Sequence, residues 1–188
     1  AFIGLNLDVT GEHYLWQRRP CVFIFNHQSQ ADVIIIAKLL RRDVAGVGKK
    51  EIAHVPILGQ IMQMTGTVMI DRSDVDKAIE SMRRLVDTIQ VERKSIAIAP
   101  EGTRTVSVQL GPFKKGAFHL AMQAGVPIVP IVIRNAMDVS PKGDPLFHSA
   151  TVGVEVLPPV DTSEWRVESI ERHIADVRKQ FLQTLGQL

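Results

Sequence analysis

The sequence predicts an α/β fold: a single domain whose mixed, mainly parallel sheet is flanked by helices. Short apolar runs at 21–25, 95–99 and 128–133 have the length and composition of buried strands. They alternate with segments whose apolar residues recur at helical spacing, the order that builds largely parallel sheets. The 188 residues, 45% hydrophobic and 22% charged, are enough for one substantial core, with no repeat, low-complexity tract or long polar linker to divide it.

Each element follows from a local pattern. Leu5, Leu7 and Val9 alternate ahead of a turn at Gly11, which predicts an edge hairpin over 2–15. Strand 21–25 is followed by a helix over 31–40 and a short strand over 44–47. Segment 51–64 is apolar at Ile52, Val55, Ile57, Leu58, Ile61, Met62 and Met64, but Pro56 and Gly59 predict a broken helix or helical hairpin. A strand over 67–70 precedes a helix capped by Ser73 with Asp76, whose inward face is Val75, Ile79, Met82, Val86 and Ile89. After strand 95–99, helix 117–123 stops at Gly125 with Pro127 beyond. Strand 128–133 is interrupted by Pro130, and strand 151–157 alternates. The last helix, 165–185, turns Val167, Ile170, Ile174, Val177, Phe181 and Leu185 inward.

Composition narrows the possible classes. A net charge of +2 and a pI near 8.8 are too mild to imply nucleic acid by themselves and suit an anionic small molecule or membrane surface weakly. The single cysteine excludes an internal disulfide. No segment reaches the roughly 20 apolar residues of a membrane-spanning helix. The chain opens on Ala1 rather than Met, so residues 1–188 are expected to be one domain of a longer polypeptide.

Strand 21–25 ends abruptly in Asn-His-Gln-Ser-Gln-Ala-Asp. On one continuous helix His27 and Asp32 would lie about 140° apart and could not pair. If His27 sits in the turn and Asp32 in the first turn of the helix, the carboxylate reaches back to the imidazole. It then holds one ring nitrogen and frees the other as a general base. The competing reading makes Asp32 a simple helix N-terminal charge. Cys21 is six residues from His27, about 20 Å along an extended strand, which removes it as a nucleophile. No Gly-x-Ser-x-Gly elbow is present. The remaining role for His27 is to activate a substrate hydroxyl or a water.

A second cluster, Pro100-Glu101-Gly102-Thr103-Arg104, follows strand 95–99. Gly102 permits a tight bend, Thr103 offers a hydroxyl, and Arg104 offers a planar fork suited to phosphate. Lys49 and Arg72 also end strands, and parallel strand ends share one edge, where three cations would form an anion pocket. Solvated surface charge is the alternative for each, and for Lys114 and Lys115.

Taken in order, these residues resemble the glycerolipid acyltransferase family, and the lysophosphatidate-acylating branch of it in particular. Asn26-His27 with Asp32 resembles the first family motif, Gly66–Arg72 the second, Pro100–Arg104 the third and Val126–Pro130 the fourth. Gly48–Glu51 and Phe113–Ala117 resemble the segments beside them; the resemblance covers roughly residues 20 to 135. Ala99 stands where the family often has an aromatic.

The resemblance implies acyl transfer from acyl-CoA or acyl carrier protein to the sn-2 hydroxyl of 1-acylglycerol 3-phosphate, giving phosphatidic acid in phospholipid biosynthesis. His27 would be the base and Asp32 its orienting carboxylate. Lys49, Arg72 and Arg104 would bind the phosphate, Gly102 and Thr103 would shape that loop, and Glu101 would brace it. It implies no metal and no cofactor beyond the thioester donor, no nucleic-acid partner, and work on a membrane surface at the cytoplasmic face. Another acceptor (glycerol 3-phosphate or a different lysophospholipid), a hydrolase, and a non-catalytic anionic-lipid-binding domain are the alternatives.

Overall fold

A computed structural model describes residues 4–50, 66–70, 75–104, 109–141 and 146–188. Seven strands form one sheet: β1 (Asn6–Thr10), β2 (Val22–Phe25), β3 (Val44–Lys49), β4 (Val68–Ile70), β5 (Ser95–Ile98), β6 (Ile128–Ile133) and β7 (Thr151–Val156). Their spatial order is β1-β7-β6-β2-β5-β3-β4. All pairings are parallel except β6 with β7. The sheet is therefore mixed and mainly parallel. The helices are α1 (Tyr14–Gln17), α2 (Ala31–Leu40), α3 (Val75–Gln90), α4 (Gly116–Ala124) and α5 (Ile170–Leu185).

Strand alternation sends neighbouring side chains to opposite faces, and each face is covered. Val22 and Ile24 of β2 join Leu85 and Ile89 of α3, Phe118 and Leu120 of α4, and Ile174, Val177 and Phe181 of α5. Phe23 and Phe25 join Leu15 of α1 and Ile35, Leu39 and Leu40 of α2 on the other face. Burial on both faces is why β2, β5 and β6 read as mainly apolar runs rather than as alternating patterns.

The structure changes several local expectations. β1 is an edge strand, but it pairs in parallel with β7 rather than turning into a hairpin. Gly11, at φ +74°, sends the chain into α1, whose Leu15 is fully buried, so no second strand forms there. In α3 the buried stripe is Ser81, Leu85, Thr88 and Ile89, and Ile79 is exposed. Ser81 and Thr88 donate to the carbonyls of Lys77 and Arg84, so their hydroxyls enter the core already satisfied. Val167 lies in a 3-10 turn before α5 and is exposed. Pro130 does not break β6. Its carbonyl accepts from Leu157 N–H (2.9 Å), just past the end of β7, so the missing proline N–H faces the side where the ladder has run out. Segment 51–64 and the Ser73 cap lie outside the described residues.

Cys21 is fully buried at the start of β2. Burial pushes its thiol up to about 12, against a weaker opposing effect of the Ser95 hydroxyl. The sign of the linkage follows: stability from burying the neutral thiol is complete below its ordinary value of 9.0 and lost as pH rises toward about 12. A thiol reagent at about pH 8 should leave Cys21 unmodified in the folded protein and label it after denaturation. Rapid labelling of the native protein would contradict this burial.

Candidate active site

Because β2 to β6 are parallel, their carboxyl ends share one edge of the sheet. The polar corner after β2 lies on that edge. Asn26 is 1% exposed, donates through Nδ2 to Ile133 O (2.8 Å), and accepts at Oδ1 from Ile133 N–H (2.8 Å). A side chain thus completes the β2–β6 ladder while the main chain leaves the sheet. Asn26 is a structural support for this corner that the sequence reading left without a role. A buried asparagine at the end of an apolar strand was the signal for it.

His27 and Asp32 meet across this corner. Asp32 Oδ2 accepts from His27 Nδ1 (2.9 Å), Gln28 N–H (2.7 Å) and Ser29 N–H (2.8 Å). Asp32 lies in the first turn of α2, where the helix dipole favours its charge, and is 1% exposed. The two competing readings of Asp32 are therefore one arrangement. Ser29 Oγ accepts from Ala31 N–H (3.2 Å) and donates to Ser140 O (3.3 Å), fixing the turn between the pair.

The chemistry follows from donors and acceptors. The carboxylate oxygen is already ringed by two backbone N–H groups, so it is an acceptor for Nδ1 as well. Nε2 then carries the lone pair. Its side chain is 22% exposed, and no described residue bonds to Nε2. The ring stands edge-on to Phe25, with centroids 6.1 Å apart. An oriented imidazole with one open nitrogen is built to take a proton from a group arriving from outside.

The loop after β5 braces this imidazole. Glu101 is 4% exposed; Oε1 accepts from His27 N–H (2.8 Å) and Oε2 from Gly111 N–H (3.0 Å). Both oxygens hold backbone N–H groups, one of them that of His27. Gly102, at φ +72°, donates its N–H to Ala99 O (3.1 Å) and makes the bend that a side chain would strain. Thr103 and Arg104 are exposed beyond it.

Lys49 is exposed at the end of β3. The order β2-β5-β3 separates the β2 and β3 ends by about 10 Å at ordinary strand spacing. Neither Arg104 nor Lys49 is paired with a carboxylate among the described residues, whereas Lys115 pairs with Glu171 (2.6 Å) on the surface. Arg72 lies outside the described residues. The Val126–Pro130 motif starts at the opposite edge, where Pro127 O accepts from Val22 N–H (3.0 Å), and runs up β6 beside β2 to Pro130, opposite Ile24.

The acyltransferase family model matches residues 6–134. The chain is 34% identical over 189 residues to the 1-acyl-sn-glycerol-3-phosphate acyltransferase of Saccharomyces cerevisiae, covering 99% of this chain and 62% of the yeast protein. It is 34% identical over 170 residues to the Escherichia coli protein of the same name, covering 89% of this chain and 67% of that one. The crystal structure of the 1-acyl-sn-glycerophosphate (LPA) acyltransferase PlsC from Thermotoga maritima shares the fold, with a TM-score of 0.78 at 23% identity over 97% of this chain and 73% of that chain. From β1 to the end of β6 the chain follows the family model, and it belongs to the acyltransferase family.

Proposed function

We propose that this domain transfers a fatty acyl group from a thioester, acyl-CoA or acyl carrier protein, to the sn-2 hydroxyl of 1-acylglycerol 3-phosphate, giving phosphatidic acid. One observation carries this reading: an imidazole held at Nδ1 by a buried carboxylate, open at Nε2, on the edge that bears Lys49 and Arg104. The names of the yeast and Escherichia coli relatives support the acceptor, although the chain spans only 62% of the yeast protein.

His27 Nε2 takes the proton of the sn-2 hydroxyl as its oxygen attacks the thioester carbonyl. The tetrahedral intermediate collapses, the C–S bond breaks, and the imidazolium returns its proton to the thiolate. An ester and a free thiol result, with no acyl-enzyme and no cofactor beyond the donor. Asp32 balances the imidazolium charge during the step. Arg104 and Lys49, with Arg72, take the acceptor phosphate, and Gly102 and Thr103 shape the loop that presents it. Lysophosphatidate is an amphiphile, so the edge bearing His27 works against a membrane surface, at its cytoplasmic face. Among the described residues no helix is long and apolar enough to cross a membrane.

Free thiol and lipid product are measured together with acyl-CoA and lysophosphatidate in mixed micelles. Equal amounts of thiol and phosphatidic acid are expected. Free fatty acid in place of diacyl lipid would instead make the protein a hydrolase, and liposome binding without turnover would make it a lipid-binding domain. Arg104→Ala should raise KM for lysophosphatidate by about tenfold or more, because a charge-assisted phosphate contact is lost. A choline-headed lysolipid, lacking the phosphate monoester, should be affected less. Equal losses with both acceptors would remove Arg104 from the phosphate site.

A further inference from the structure

Leu110 and Gly111, which carry one of the Glu101 contacts, are held from a direction that the family match does not cover. Leu110 and Gly111 have all four of their backbone polar groups bound by side chains distant in sequence. Leu110 N–H donates to Gln187 Oε1 (2.9 Å), and Gly111 N–H donates to Glu101 Oε2 (3.0 Å). Arg178 of α5 donates from Nη2 to Leu110 O (2.9 Å) and from Nε to Gly111 O (3.0 Å). One edge of a planar guanidinium thus spans two consecutive carbonyls. Three residues further along α5, Phe181 meets Phe113 edge-on with ring centroids 5.2 Å apart, so the same helix face also grips the loop's exit.

Glycine has the freest backbone of any residue, and a Gly111 held only at its N–H could turn that N–H away from Glu101. Arg178 prevents this by fixing the carbonyls on both sides of the Gly111 Cα, and the Leu110 carbonyl shares one peptide plane with the Gly111 N–H. The held N–H then fixes Glu101 Oε2, which leaves Oε1 on His27 N–H (2.8 Å). His27 is thereby positioned twice: its ring by Asp32 and its backbone by a relay that begins on the last helix. We propose that Arg178 is a positioning residue for His27, acting through Gly111 and Glu101, with Gln187 as its auxiliary. The family model ends at residue 134, so both lie beyond it. The proposal rests on the acyl-transfer reading for its kinetic readout, but not for its structural one.

The test compares the wild-type chain with Arg178→Met, Arg178→Lys, Gln187→Ala, Glu101→Gln and the Arg178→Met/Glu101→Gln pair. Folding is followed by near-UV circular dichroism and thiol release by steady-state kinetics. Arg178→Met should lower kcat about tenfold or more with KM for acyl-CoA within about twofold, since misplacing the base slows the step without loosening the donor. Arg178→Lys, able to reach one carbonyl at a time, should fall between. Because Arg178 and Glu101 act in series, the pair should lose no more than about twofold beyond the worse single variant. The His27 amide resonance should shift in Arg178→Met as it does in Glu101→Gln.

A kcat for Arg178→Met within about twofold of wild type, or a pair whose loss is the product of the singles, would overturn the relay. If Arg178→Met does not fold, Arg178→Lys and Gln187→Ala decide instead: wild-type kcat in both removes the proposal, and a lowered kcat in a normally folded Arg178→Lys sustains it. An inactive wild type would defeat the acyl-transfer reading alone, and the His27 amide shift would still decide the relay.

Discussion

Replacing His27 with alanine should lower kcat by about 1,000-fold while leaving KM for the acyl donor nearly unchanged. The imidazole is an oriented base at the corner, and Nε2 is its open nitrogen among the described residues. The fold should survive, because Asp32 Oδ2 keeps the N–H groups of Gln28 and Ser29 as donors after the ring is gone. The buried carboxylate is therefore not abandoned in the core. Thiol release together with a thermal unfolding curve checks both halves. A His27→Ala enzyme with full activity would end the general-base mechanism.

Asp32→Asn should cost both rate and stability, for separable reasons. With its oxygen in the Oδ2 place, the amide still accepts from His27, Gln28 and Ser29, so the tautomer is kept. The amide nitrogen then takes the place of Oδ1, which is buried and has no hydrogen-bond partner among the described residues. Oδ1 is already unpartnered, so the stability cost is the lost charge assistance of the Gln28 and Ser29 N–H bonds to Oδ2, about 1–3 kcal/mol in all. Loss of the negative charge removes what balances the imidazolium, and kcat should fall about 100-fold or more. Urea denaturation reads the first effect and single-turnover kinetics the second. Wild-type kcat in a folded Asp32→Asn protein would show that the charge plays no part in the step.

These two residues were legible in the sequence because their relation is local. Five positions are too many for one helix face and suit a strand-to-helix corner, and the helix does begin at Ala31. Likewise Gly125, left-handed at φ +67°, ends α4 where the Gly-then-Pro signal placed the stop. On α3, Met82, Val86 and Ile89 do pack on the core, but Ile79 is exposed, and Ser81 and Thr88 were missed because buried hydroxyls carry no apolar signature. Their compensation, a bond to the carbonyl one turn earlier, exists only once the helix has formed.

The sequence by itself determined the α/β class, most strand and helix positions, and the His27–Asp32 corner. Each rests on periodicity, capping or steric limits acting over a few residues. Only the tertiary structure decided the strand order, the parallel pairing of β1 with β7, and the contact that sets Glu101 under His27, 74 residues away. It alone brought Arg178 to Leu110 and Gly111. Hydrogen bonds between distant segments leave no period in the chain. They are chosen by which backbone groups the packed sheet and helices leave without a partner, and that is settled only when the core closes.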